Sequence, residues 1–103
     1  MNPARGAKSG SMEGRTYIIG REGHIYLGDD SVSRQHAEIR IIDGKIHLRD
    51  LNSTNGIYLV KDDRAVRIQE SIVEPHQPIV IGRRQCTVQG LLRALGNAAG
   101  IKP

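Results

Sequence analysis

The chain has 103 residues, a net charge of +4 from 15 Lys and Arg against 11 Asp and Glu, and one cysteine. This length suits a single small domain with tails, which leaves little room for a deep catalytic pocket. Because Cys86 is alone, an intramolecular disulfide and a thiolate metal site are excluded. No apolar run reaches the roughly 18 residues of a membrane span, and residues 1–14 lack the apolar stretch of a secretory signal. We therefore expect a soluble cytoplasmic protein that needs no metal or cofactor.

Residues 1–14 are rich in Gly, Ser, Ala and basic side chains, and they predict a flexible tail. From Arg15 onward, short β-branched runs alternate with turn residues, which is typical of an all-β sandwich of two antiparallel sheets. The domain is expected to span residues 15–92, and residues 93–103 to form a tail or a short helical turn. The predicted strands are Thr16–Ile19, Ile25–Leu27, His36–Ile42, Lys45–Leu48, Ile57–Val60, Ala65–Ile68, Ile79–Ile81 and Cys86–Leu92.

Two features add detail to this sandwich. Asp43-Gly44 and Asn55-Gly56 both predict two-residue hairpins, because a type I′ turn needs positive φ at both central positions. Alternation over residues 36–42 predicts a core face of Ala37, Ile39 and Ile41, with His36, Glu38 and Arg40 on the polar face.

Three short motifs combine small hydrogen-bonding residues or arginines with turns. They are Gly20-Arg21, Ser33-Arg34-Gln35-His36 and Asn52-Ser53-Thr54-Asn55-Gly56. Arginine presents a planar fork to phosphate oxygens, serine and threonine supply hydroxyls, and an asparagine amide both donates and accepts. The alternative for the first motif is a surface arginine without a binding role. The alternative for the third motif is a turn without a binding role. For the second, a catalytic Ser33–His36 pair is the rival, but residues 33 and 36 point to opposite faces of an extended segment.

In this order and at these separations, the three motifs resemble those of the forkhead-associated (FHA) domain family, and we expect a small bacterial member. The resemblance implies an eleven-strand β-sandwich with its binding loops at one end. It also implies a phosphothreonine-dependent module that recruits phosphorylated partner proteins in signalling or assembly. The implied phosphopeptide-binding residues are Arg21, Ser33, Arg34, Ser53, Thr54 and Asn55, and the implied supports of the site are Gly20, His36 and Gly56.

The chain departs from the family before Arg15, where a strand is normally found. The first strand is therefore expected to be missing or swapped, which would leave an unpaired sheet edge able to pair with a second copy as a homodimer. An FHA-like structural or oligomerisation domain without phosphopeptide binding is the alternative function. We expect neither a nucleic-acid partner, because basic and acidic residues are interleaved without aromatic platforms, nor a membrane partner, nor an enzyme.

Overall fold

The computed structural model describes residues 14–98 of the chain, and side chains as far as Leu95. Within these residues lie nine strands and one helix. The strands are β1 (Thr16–Gly20), β2 (Ile25–Tyr26), β3 (Ala37–Ile42), β4 (Lys45–Asp50), β5 (Ile57–Lys61), β6 (Arg64–Ile68), β7 (Glu70–Val73), β8 (Pro78–Ile81) and β9 (Arg84–Thr87). They are followed by helix α1 (Val88–Ala98).

The strands form two facing sheets, one ordered β2-β1-β3-β4-β7 and the other β6-β5-β8-β9. Every pair is antiparallel except β1 with β2, so the predicted all-β sandwich is confirmed. Its core is aliphatic, and Ile19, Ile39, Leu48, Ile57 and Ile79 are fully buried. Branched aliphatic side chains pack well on pleated surfaces, which explains how a core forms without Phe or Trp.

The turns agree with the sequence in one place and differ in another. Asp43 and Gly44 have φ of 54° and 74° and join the paired strands β3 and β4, as predicted. The hairpin predicted at Asn55-Gly56 is wrong, because β4 and β5 lie in different sheets. The second such turn is Asp62-Asp63, with φ of 47° and 64°, between β5 and β6.

The end of the predicted strand Cys86–Leu92 is also wrong. β9 stops at Thr87, whose Oγ1 accepts a hydrogen bond from the Gly90 N–H at 3.0 Å and so caps α1. Val88 and Leu91 are buried, and Leu95 packs against the same core, so helical spacing buries one apolar stripe. Strand β7, which the sequence did not predict, pairs with β4.

Because neighbouring strands run in opposite directions, four loops lie at the same end of the sandwich. They follow β1, precede β3, join β4 to β5 and join β8 to β9. Helix α1 leaves from the opposite end, since β9 runs away from its turn with β8. The predicted flexible tail, apart from Gly14, lies outside the described residues. In the part of the chain that the structure describes, no helix is both long and apolar enough to cross a membrane.

Candidate functional site

The end of β1 packs directly against the loop that precedes β3. The Arg21 N–H donates to the Ser33 carbonyl at 3.2 Å, and the Glu22 N–H donates to the Arg34 carbonyl at 2.9 Å. A Cβ on Gly20 would lie 2.1 Å from the Arg34 carbonyl oxygen. The atoms that this Cβ would meet belong to the main chain and cannot move aside easily. Only glycine therefore allows the end of β1 to approach the loop before β3 this closely.

Arg21 is oriented by the same loop. Its Nε–H donates to the Val32 carbonyl at 2.8 Å, and the residue is exposed. A guanidinium has five N–H donors, so fixing Nε leaves the two Nη groups to face a ligand with a defined orientation. This is the arrangement that bidentate recognition of phosphate oxygens requires.

His36 lies at the centre of the site and is fully buried, so its predicted place on the polar face of β3 is wrong. Its Nδ1 accepts a hydrogen bond from the Ser33 N–H at 3.0 Å, and its Nε2 lies 2.8 Å from the Gly56 carbonyl. A carbonyl only accepts, so Nε2 carries the proton and the ring is the neutral tautomer. His36 therefore ties the loop before β3 to the turn before β5.

The contact between Ser33 and His36 is not that of a nucleophile with its base. The imidazole accepts from the Ser33 main chain, whereas the Ser33 Oγ accepts from the Thr54 N–H at 3.3 Å. Catalysis by a Ser–His pair needs the hydroxyl itself to bond to the ring. The hydroxyl hydrogen of Ser33 is instead left to donate to a ligand beside Thr54.

The turn before β5 is held by a buried carboxylate. Asp50 is 6% exposed and accepts from the Ser53 N–H at 3.2 Å and from the Ser53 hydroxyl. The Ser53 Oγ also accepts from the Gly56 N–H at 2.9 Å. Gly56 itself has a φ of 81°, which favours glycine. The Ser53 hydroxyl is thus engaged within the turn.

Asn55 and Arg34 differ in how firmly they are held. The Asn55 Nδ2 donates to the Ser31 carbonyl at 2.9 Å, which leaves its Oδ1 as an acceptor for a ligand. Arg34 has a 73% exposed side chain whose Nε lies 3.7 Å from a Glu22 carboxylate oxygen. An exposed ion pair of this kind is weak, so Arg34 can exchange Glu22 for another anion.

Ser31 is a central residue that lies outside the three sequence motifs, where only a part in selecting residues that flank the phosphothreonine was expected of it. It is 4% exposed, and its N–H and hydroxyl donate to the Asp29 Oδ1 at 2.8 and 2.6 Å. Its Oγ accepts from the Arg83 N–H at 2.8 Å. Hydrogen bonds from Ser31, followed by the smaller effects of Arg83 and Arg84, hold the pKa of Asp29 below its ordinary value. The Asp29-x-Ser31 spacing, typical of an Asx turn, was the available signal.

The structure thus brings Arg21, Ser33, Thr54 and Asn55 together at one end of the sandwich, through the contacts with Val32 and Ser31 described above. Arg34 lies on the rim beside Glu22. Among the described residues, no group of three or more His, Cys, Asp or Glu could hold a metal ion. What remains is a cradle of guanidinium, hydroxyl, amide and main-chain N–H groups. Such groups bind an anion and an extended peptide.

Comparison with known proteins agrees with this architecture. The FHA domain model matches residues 17–82. The FHA domain of FhaA, solved in complex with the intracellular domain of Rv3910, is 35% identical with a TM-score of 0.60, over 68% of this chain and 75% of that one. The FHA domain of CT664 from Chlamydia trachomatis is 34% identical with a TM-score of 0.62, over 71% of this chain and 74% of that one.

Curated relatives give the same result from sequence. The oxoglutarate dehydrogenase inhibitors of Corynebacterium glutamicum and Corynebacterium diphtheriae are 35% and 36% identical over 72 residues, which is 65% of this chain. The chain spans about half the length of these relatives, 50% in each case. A family model that covers most of the sandwich, together with these likenesses, confirms the resemblance. The chain belongs to the FHA domain family, whose members are protein-interaction modules.

Proposed function

We propose that this chain is a phosphothreonine-dependent protein-binding module that recruits phosphorylated partners in signalling or assembly. The observation that carries the proposal is the position of the Ser33 hydroxyl. Its oxygen accepts from the Thr54 N–H while the Arg21 guanidinium is held by the neighbouring Val32 carbonyl. A hydroxyl donor and a preset arginine fork on two loops that contact each other suit a phosphate monoester.

Each of the other residues has a role in this proposal. Arg34 adds a second positive charge when it leaves Glu22, and Thr54 contributes its hydroxyl beside Ser33. Asn55 accepts from a peptide N–H through Oδ1, since its Nδ2 is occupied by the Ser31 carbonyl. Ser53 acts indirectly by holding the turn through Asp50.

Phosphorylation switches binding on because it adds a charge of about −1.5 to −2 and three strong acceptor oxygens. Without that group, the cradle has no anion to neutralise and only the Asn55 contact remains. The threonine methyl group, if buried, adds about 0.8 kcal/mol of selectivity over phosphoserine. A module of this kind acts by binding and needs no nucleophile, which agrees with the main-chain contact between Ser33 and His36.

Titration of a phosphothreonine peptide library against the domain, followed by amide chemical shifts, tests the proposal. Resonances of Arg21, Ser33 and Thr54–Gly56 should move, and the unphosphorylated peptides should move none of them. Arg21→Ala should abolish the response, and Arg21→Lys should weaken it, because an ammonium lacks the planar fork. Arg93→Ala is the matched control, since Arg93 is exposed on α1 and is not part of the four loops that form the site.

A response to Arg21→Ala no larger than that to Arg93→Ala would show that the site is misplaced. Absence of any phosphate-dependent shift would leave the structural or oligomerisation role, without phosphopeptide binding, as the function.

We further propose that an unpaired sheet edge pairs with a second copy. The strand after the expected gap, β1, lies between β2 and β3, so we assign this role to the outer edge of β9. In the four-stranded sheet of the described residues, β9 is the last strand and pairs only with β8. Its outer N–H and C=O groups offer a template for another strand. Sedimentation at high concentration should detect a dimer, and a monomer throughout would remove this proposal. We also propose a cytoplasmic location, supported by the single cysteine.

A further inference from the structure

The five-stranded sheet ends at β7, whose outer side carries no further strand within the described residues. β7 pairs only with β4, and next to the start of this pairing the Asp50 N–H donates to the Gln69 carbonyl at 2.8 Å. Along an antiparallel ladder, hydrogen-bonded pairs of residues alternate with pairs that make no such bonds. Glu70 and Ile72 fall in positions of the second kind, so their main-chain N–H and C=O groups point towards the open edge.

This edge lacks two of the features that commonly prevent a sheet from gaining another strand. β7 contains no proline, and its register with β4 advances one residue at a time, without a bulge. The Ile72 carbonyl accepts a hydrogen bond from the neighbouring Ser71 hydroxyl at 3.2 Å, and the N–H of an added strand can replace that hydroxyl. The edge is therefore able to bind an extended segment by strand addition.

The side chains on the outer face of β7 alternate between acidic and apolar. Glu70 and Ile72 are exposed, whereas Ser71 is half-buried and Val73 is buried on the other face. Glu74, which directly follows the strand, is exposed as well. An incoming strand thus meets a carboxylate, an aliphatic side chain and a second carboxylate at every other position.

These charges favour a basic strand on the open side. Opposite charges facing each other on neighbouring strands are stabilising, and Arg49 already faces Glu70 from β4 in this way. An added strand would lie about 4.8 Å from β7 and about 10 Å from β4. The longer distance exceeds the screening length of about 8 Å at physiological salt. The carboxylates of β7 therefore attract the added strand more strongly than the cations of β4 repel it.

The same charges disfavour a second copy of the chain at this edge. If two β7 strands paired in antiparallel fashion around Ile72, Glu70 of each copy would face Glu74 of the other. Like charges directly opposite each other destabilise a strand pair. The β7 edge therefore fits a different sequence better than its own.

A pocket at the end of β7 accounts for the apolar position. Its volume is about 210 Å³, and its lining includes the aliphatic side chains of Ile46, Ile72 and Val73. Ile72 is 55% exposed, so an aliphatic side chain placed opposite it would cover apolar surface that is now in water. Main-chain hydrogen bonds supply affinity in strand addition, and pockets of this kind supply selectivity.

We infer that the outer edge of β7 is a second protein-binding surface, which takes an extended partner segment carrying a basic, an aliphatic and a basic residue at alternate positions. This pattern is the same in both chain directions, so a parallel and an antiparallel segment both match the charges. The surface lies on a strand outside the four loops of the phosphate site. Binding here needs no phosphate group and does not depend on the proposed function.

The test titrates the natural chain with the peptide Thr-Lys-Thr-Ile-Thr-Lys-Thr and follows amide chemical shifts. Shifts should be confined to residues 70–74 and their neighbours on β4. Replacing both lysines of the peptide by glutamine should weaken binding about two- to tenfold, and replacing them by glutamate should weaken it further. Methylation of the main-chain nitrogen of the peptide's isoleucine should abolish binding, because it removes a donor to the edge.

Variants of the chain separate this surface from the phosphate site and from net charge. Glu70→Gln combined with Glu74→Gln should remove the preference for lysine over glutamine and leave the response to phosphothreonine peptides intact. Asp30→Asn removes an exposed carboxylate from the loop before β3 and should keep the preference, as should Arg21→Ala.

Three results would overturn the inference. One is equal binding of the lysine, glutamine and glutamate peptides, and another is the absence of binding by all of them at millimolar concentration. The third is a shift of residues 70–74 when the chain alone is concentrated, which would assign this edge to a second copy.

Discussion

Replacing His36 by alanine tests whether one buried imidazole holds the two halves of the site together. The substitution deletes the acceptor of the Ser33 N–H and the donor to the Gly56 carbonyl. The two partners are affected unequally, because Gly56 keeps a second hydrogen bond from the Gly82 N–H at 3.2 Å. Ser33 has no such replacement within residues 14–98.

The magnitude follows from these contacts. A lost hydrogen bond to Gly56 costs about 1 kcal/mol, and an unsatisfied Ser33 N–H, which is only partly buried, costs about 1 kcal/mol, the lower end of the usual range. The cavity left by a fully buried ring adds to both. We expect the free energy of unfolding to fall by about 3 kcal/mol or more, a large fraction of the about 5–15 kcal/mol typical of a native domain. The main-chain bonds of His36, to the Ile19 carbonyl and from the Leu51 N–H, survive in this variant.

Urea unfolding followed by circular dichroism measures the change, read as a shift in midpoint at constant slope. His47→Ala is the matched control, since His47 is half-buried on the solvent face of β4 and its ring makes no hydrogen bond within the described residues. Its effect should stay below about 1 kcal/mol. If both histidine variants lose the same small amount of stability, the bridging role of His36 is refuted.

Three other substitutions or reactions test separate contacts. Gly20→Ala should lower the free energy of unfolding by about 1–3 kcal/mol and abolish phosphopeptide binding, because its Cβ would meet the Arg34 carbonyl oxygen at 2.1 Å; unchanged unfolding and titration curves would contradict this. Hydrogen bonds from Ser31 lower the pKa of Asp29 below its ordinary value of 3.8. The ionised carboxylate therefore stabilises the folded protein fully above pH 3.8. This stabilisation is lost as the pH falls through the pKa of the folded state. Asp29→Asn should therefore differ from the natural chain in urea unfolding at pH 6 and converge with it in acid, and a difference that persists below the folded-state pKa would count against the argument. Burial raises the pKa of the Cys86 thiol from 9.0 to about 11. Because the thiolate is the nucleophile, alkylation of Cys86 at pH 8 should be about a hundredfold slower in the folded than in the unfolded protein. Equal rates would show that the thiol is not shielded.

Local rules were enough for several parts of the fold. Asp43-Gly44 can adopt positive φ at both positions, so it closes a hairpin whatever surrounds it. The alternation of Ala37, Ile39 and Ile41 marks a buried face, and all three are buried. A β-branched composition with frequent turns indicates a sandwich. The motif residues and their order were enough to suggest the family.

Contacts between distant segments decided the rest. His36 continues the polar face of β3 in the sequence pattern, yet its partner Gly56 is 20 residues away and draws the ring into the interior. Asn55-Gly56 has the composition of a hairpin turn, but at this point the chain crosses from one sheet to the other. Which strands β5 pairs with depends on how the two sheets pack around their shared core. The residues of the turn alone therefore could not predict the crossing.

The sequence by itself determined which chemical groups the site contains, because side-chain identity sets what each residue can donate or accept. Only the tertiary structure decided which of those groups face outward. Ser53 and Ser33 are chemically the same, but Asp50 engages the hydroxyl of Ser53, whereas Thr54 meets only the oxygen of Ser33. The physical reason is that a hydroxyl has one hydrogen to donate, and its use depends on which buried acceptor the fold places beside it.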